Sequence, residues 1–324
     1  MKHNLSIFWF RRDLRLNDNV GLYQALKHST SVLPIFIFDE SILVKLPKKD
    51  ARVSFIQERL AIINDELQTQ FDSSLAVYHG NPEEIFKQLL TEYSIDAVYT
   101  NHDYEPYARE RDECINSLLS SKNIEFITFK DQVIFEKEEI VKKDGQPYVV
   151  YTPYMRVWKA KFSANMLEGF NIHEFENHFV KNTNLPWLTL EAIGFHKSEQ
   201  SIASFDVSPN LIQSYEETRN FPALDATSKL GPHLRFGSVS IRQMVKKAIA
   251  EENEIFWNEL IWREFFMQIL WHFPHTKDNA FKSKYDRIQW RNDEGEFKAW
   301  CEGKTGYPLV DAGMRELNET GFMH

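Results

Sequence analysis

Cysteine is nearly absent from this sequence: Cys114 and Cys301 are the only two among 324 residues, and neither stands in a CxxC pair. A disulfide framework and a cysteine-rich zinc site are thereby excluded, and both side chains read as free thiols of a reducing compartment. No apolar stretch approaches the length of a membrane span. The short run near the N-terminus meets charged residues at once, unlike a signal segment. A cytoplasmic protein without membrane contact is expected. GxGxxG, HExxH, GxSxG and Walker-type motifs are all missing, which removes the usual signatures of dinucleotide, zinc-protease, serine-hydrolase and nucleoside-triphosphate chemistry. Positive charge is also in short supply. Lys and Arg number 38 against 47 Asp and Glu, a net charge of −9, so contact with nucleic acid would need a local basic patch. Lys277, Lys282, Lys284, Arg287 and Arg291 offer one, but Asp278 and Asp286 dilute it, and a plain solvated charged surface is the better explanation.

What the chain does have is apolar bulk. With 43% hydrophobic and 14% aromatic residues, it can bury real cores without staples, and its length suggests two domains. In the first third, apolar runs at 5–10, 32–38, 75–78, 97–100 and 126–129 alternate with helical patterns at 20–27, 51–70, 82–92 and 106–120. That alternation predicts a Rossmann-like, five-stranded parallel sheet with helices on both faces. Residues 131–208 lack sustained periodicity, contain several prolines and read as a connector, with one ordered-looking patch at 151–162. From 209 onward the patterns are helical only, at 210–218, 240–250, 254–273, 293–302 and 310–318. The expected division is 1–130, 131–208 and 209–324.

Two segments carry candidate chemistry. In NELIWREFF, Glu259, Trp262, Arg263 and Phe266 fall at i, i+3, i+4 and i+7 and share a helix face. On physical grounds alone this is a buried aromatic stripe with a Glu259–Arg263 ion pair. In TRNFPALDATSKLGPHLRFG, a proline-broken turn leads to Asp225, Thr227, Ser228, Lys229, Leu230 and Gly231 before another helix. Hydroxyls, backbone N–H groups and one lysine at helix starts suit a pyrophosphate, although ordinary helix capping uses the same residues.

Together with NLSIFWFRRDLRLNDN, YDRIQW and EGKTGYPLVDAGMREL, these segments stand in the order of the photolyase/cryptochrome family. The sequence resembles most closely the class I cyclobutane pyrimidine dimer photolyases. The resemblance implies an α/β antenna domain, an all-α FAD-binding domain, and UV-damaged DNA as the partner of a monomer. It assigns Tyr215, Thr227, Ser228, Lys229, Leu230, Gly231 and Arg263 to FAD. Lys229 stands where arginine is common, and Gly231 where serine is common. Glu259 and Trp262 match the residues that hydrogen-bond and stack on a flipped dimer, the catalytic pair of the pocket. Arg219 matches a DNA contact, and Trp290 the outermost tryptophan of the family's electron-transfer chain. Cyclobutane repair enzymes keep the carboxyl and indole that plant-type cryptochromes commonly lose, so repair is expected, the alternative being a cryptochrome-type photoreceptor. A second antenna chromophore is compatible with NHDYEPYARERD, but its identity is open, and a surface Arg109–Asp112 pair explains part of the same segment. Family members continue beyond the last matched segment, so the helical domain is expected to be C-terminally incomplete and its hold on FAD weak.

Overall fold

The apolar runs of the first third become β1 (His3–Phe10), β2 (Ser29–Asp39), β3 (Ala76–Gly80), β4 (Ala97–Asn101) and β5 (Glu125–Phe129) in a computed structural model that describes residues 2–324. They form one sheet in the order β3-β2-β1-β4-β5, and each neighbouring pair is parallel. Successive residues of a strand face opposite ways. Phe8, Phe10, Phe36 and Phe38 therefore enter one core, while Ile7, Trp9, Ile35 and Ile37 enter the other. With both faces buried, the strands read as continuous apolar runs.

The crossovers are α1 (Val20–His28), α2 (Glu40–Leu43), α3 (Ala51–Phe71), α4 (Pro82–Glu92) and α5 (Pro106–Ser120). Asn19, Asp39, Asp50 and Asn81 cap the first four by accepting from first-turn backbone N–H groups, and α4 and α5 start on proline. Between 131 and 208 the one α-helix is α6 (Tyr151–Lys161), with short 3₁₀ turns around it. Ile134, Phe135, Ile140, Tyr154 and Trp158 from this stretch join the helical core. Ile172, Phe179, Ile193 and Phe195 turn back into the sheet core. Along the edge strand β3, Val77 N–H donates to Pro186 O at 2.7 Å, so part of that edge is covered.

The helical unit comprises α7 (Pro209–Thr218), α8 (Gly231–Arg235), α9 (Ile241–Ala250), α10 (Glu254–His272), α11 (Glu294–Cys301) and α12 (Pro308–Thr320). α10 packs on α6, α7 and α9 through Phe256, Leu260, Ile261 and Phe265. From 281 to 310 the structure exposes large apolar side chains, among them Trp290, Phe297, Tyr307 and Leu309.

A buried ionic lattice ties sheet to helices. Arg15 meets Asp131 at 2.7 Å, and Arg242 of α9 meets Asp18 at 3.0 Å and Asp131 at 2.9 Å. Burial alone would raise the Asp131 carboxyl, but the two guanidiniums overturn that and hold it below the ordinary range. The Arg109–Asp112 pair expected from sequence is not formed. Arg109 lies over the Trp271 ring at 3.9 Å, and Asp112 is taken by Arg11 and Arg111. These two neighbours approach the carboxylate from the residue just past β1 and from the same helix, whereas Arg109 faces the helical unit.

Candidate active site

α7, α8 and α10 enclose a cleft of about 400 Å³ whose lining includes Tyr215, Ser228, Leu230, Gly231, Glu259 and Arg263. Six of the residues singled out in the sequence thus converge, although they come from three separate segments. Thr227 and Lys229 do not join them. They line a second cavity with Asp225, and Lys229 pairs with that carboxylate at 2.7 Å. The loop alternates its side chains between the two cavities, and Lys229 adopts a left-handed backbone (φ 51°) in doing so. A phosphate-holding role for Lys229 therefore has a competitor four residues away.

Arg263 departs from its expected partner. Its Nη1 donates to Gln132 O at 2.7 Å and its Nη2 to Leu234 O at 3.3 Å, with no carboxylate in reach. Leu234 lies in the last turn of α8, where carbonyls lack intrahelical donors, so the guanidinium satisfies them. Burial disfavours its charge, and repulsion from Arg12 and Arg235 adds to that. Glu259, one turn earlier and nearer the rim, pairs with Arg219 instead, the residue that ends α7. The predicted Glu259–Arg263 pair is thus replaced, because the two side chains leave α10 toward different walls of the cleft.

Trp262 lies beside the cleft. Its indole stacks on Tyr151 with centroids 3.6 Å apart and planes at 8°, and Phe266 flanks it at 5.5 Å. Trp290 is 70% exposed and lies in the fold's exposed apolar segment.

Sequence reasoning missed two residues of the cleft and one buried carboxylate of α10. Arg12 and Arg235 line the same cleft; Arg12 pairs with Asp103 at 3.0 Å and Arg235 with Glu105 at 2.6 Å. Glu264 is buried in the helical core and accepts from Ile134 N–H at 2.8 Å, from Phe135 N–H at 2.9 Å and from the Trp158 indole. Its signal was readable: Phe256, Leu260, Glu264 and Gln268 recur every four residues, so the carboxylate lies on the buried stripe of α10.

A third cavity, of about 510 Å³, opens at the carboxyl ends of β1 and β2, where open α/β sheets commonly bind ligands. Trp9, Phe36 and Phe38 supply apolar surface there, and the Arg11 and Arg111 guanidiniums lie over the Trp9 ring at 5.0 Å and 4.8 Å. No group of acidic, cysteine or histidine side chains suited to a metal occurs among the described residues.

Residues 6–175 match the family model described as DNA photolyase, and 256–324 the one described as FAD binding domain of DNA photolyase. A deoxyribodipyrimidine photo-lyase of Synechococcus sp. is 34% identical over 98% of this chain and 71% of its own length. The Escherichia coli enzyme of that name is 30% identical with the same coverage. Among solved structures, a class III photolyase from Agrobacterium tumefaciens aligns with a TM-score of 0.81 at 29% identity, over all of this chain and 70% of its own. The Sulfolobus tokodaii photolyase, solved with two FAD molecules, aligns at 0.80 and 31%, over 99% and 72%.

Proposed function

We propose, from the premise that this chain belongs to the photolyase/cryptochrome family, that its activity is the light-dependent repair of cyclobutane pyrimidine dimers in DNA. The observation that carries the reading is the convergence of Glu259, Tyr215, Ser228, Gly231 and Arg263 on one cleft. FAD fits that cleft chemically: aromatic and aliphatic walls suit its rings, and the half-buried Arg263, bonded only to carbonyls, suits its negative or electron-rich atoms. When bound in reduced form, FAD supplies light absorption and the single electron that opens the dimer.

The chain's own residues do the positioning. Ser228 and Arg263 hold the cofactor. The Glu259 carboxylate hydrogen-bonds the edge of a flipped base, and the Trp262 indole stacks on it. Arg219 reads as the DNA contact. Its pairing with Glu259 means that a DNA phosphate drawing Arg219 away would release the carboxylate toward the base. Trp290, by its exposure, suits electron entry from solvent. The strand-end cavity, aromatic and arginine-rich, suits a second planar anionic chromophore.

Light-dependent loss of dimers from an oligonucleotide incubated with the protein and reduced FAD is the deciding measurement. Flavin binding without dimer loss would overturn the repair reading in favour of a photoreceptor, and the absence of both flavin binding and dimer loss would overturn both readings. Trp262→Ala is expected to weaken binding of dimer-containing DNA by about 1–3 kcal/mol, the usual worth of one base–aromatic stack. A filter-binding titration checks it, and unchanged affinity would remove Trp262 from the pocket.

Gly231 gives a gain-of-binding test. A Cβ built there meets nothing within 4 Å, and its backbone is helical. Gly231→Ser should leave the melting temperature unchanged while tightening FAD binding by about 2–10-fold, the worth of one added hydrogen bond. Flavin fluorescence quenching measures the affinity.

A further inference from the structure

The start of α6 belongs to the stretch between the two cores, and the family resemblance gives it no role. Tyr151 is its first residue. The phenol ring lies 3.6 Å from the Trp262 indole in nearly parallel planes, 8° apart. Its hydroxyl donates to Asn258 O at 2.9 Å, one turn before Trp262 on α10. Phe265 meets the same ring edge-on at 5.9 Å. Burial pushes the phenol up, and the Glu259 carboxylate pushes it further, so the hydroxyl stays a donor. Tyr151 thus stacks on one residue assigned to the lesion and lies within the electrostatic reach of the other.

An indole on a helix surface has several staggered rotamers to sample. A base that must stack on it meets a target whose plane is defined only if something fixes that plane. In this fold a ring from another element covers one indole face, anchored to the α10 backbone by its own hydroxyl.

We propose that Tyr151 is a positioning residue of the lesion pocket, holding the Trp262 plane at a fixed tilt so that a flipped pyrimidine meets a defined indole. The inference rests on the assignment of Trp262 to the lesion. It predicts that the ring of Tyr151, more than its bulk, governs discrimination between dimer-containing and undamaged DNA.

The test is a binding titration of a dimer-containing oligonucleotide and its undamaged counterpart against five proteins with matched melting curves. These are the unaltered chain, Tyr151→Phe, Tyr151→Leu and Trp262→Ala, with Tyr151→Leu also placed in the Trp262→Ala background. Tyr151→Phe keeps the ring and should preserve the affinity ratio. Tyr151→Leu keeps apolar volume but loses the ring, and should reduce the ratio about fivefold, within the range of a lost aromatic pair. In the Trp262→Ala background the leucine should change the ratio no further, since residues acting through one another are not additive. A ratio lost with Trp262→Ala but kept with Tyr151→Leu overturns this inference alone. An equal loss with leucine in both backgrounds also overturns it, because a general packing defect would be additive. No preference for dimers in the unaltered protein, or none lost with Trp262→Ala, overturns the assignment of Trp262 and this inference with it.

Discussion

Gly237→Ala is expected to destabilise the protein by about 4 kcal/mol or more, the range reserved for severe core lesions. Gly237 follows α8 with φ 64°, a left-handed conformation that costs an L side chain about 1–2 kcal/mol. The larger effect is spatial. A Cβ there would lie 2.2 Å from Arg12 O and 2.5 Å from Asp13 Cα, backbone atoms that cannot swing aside. The loop after β1 would have to withdraw. Doing so would break the bond from Leu14 N–H to Phe236 O at 3.0 Å and that from Arg15 Nη1 to Gly237 O at 3.0 Å. Arg15 also holds Asp131 in the buried lattice, so displacement would spread to the joint between sheet and helices. Urea unfolding followed by circular dichroism measures the loss, with Gly231→Ala, which meets nothing, as the silent control. A midpoint for Gly237→Ala equal to that of the control would mean that the two loops are not in contact.

Glu264 carries the second large effect, and it depends on pH. Burial pushes its carboxyl up to about 7, against the partial opposition of three N–H donors and Arg263. A carboxyl with a raised folded-state pKa binds its proton more tightly when folded. Its contribution to stability is fully present below the ordinary value near 4.5 and is lost as pH rises through about 7. The span corresponds to roughly 3–4 kcal/mol at ~1.4 kcal/mol per unit. Glu264→Gln cannot ionise and should flatten the stability profile between about pH 5 and 7. It also turns an amide N–H toward donors, so some stability should be lost at every pH. Glu264→Ala leaves Ile134 N–H, Phe135 N–H and the Trp158 indole without partners and opens a cavity, for an expected loss of about 4 kcal/mol or more. Denaturation midpoints of the three proteins across that pH range test both points. A profile for Glu264→Gln parallel to that of the unaltered protein would show that another group titrates.

Both effects fall on contacts between segments far apart in sequence. Neither residue stands out in a linear reading: Gly237 closes a motif, and Glu264 sits in a run whose neighbours were assigned to cofactor and lesion. The carboxylate's place on a four-residue apolar stripe was a usable signal. The backbone approach at Gly237 left none, because close approach is a property of two loops together.

The sequence by itself determined the five strands and their crossovers, since strand and helix periods, caps and prolines act over neighbouring residues. It also determined the family, because five segments kept their order along the chain. Only the tertiary structure decided which partners the charged groups take. Arg263 turns to two carbonyls, Glu259 to Arg219, Lys229 to Asp225 and Asp112 to Arg11 and Arg111. Helical spacing allowed a Glu259–Arg263 pair, but spacing constrains only what one helix can offer. Which offer is taken depends on the donors and acceptors that other elements bring within about 3 Å, and on how much water each side chain loses in reaching them.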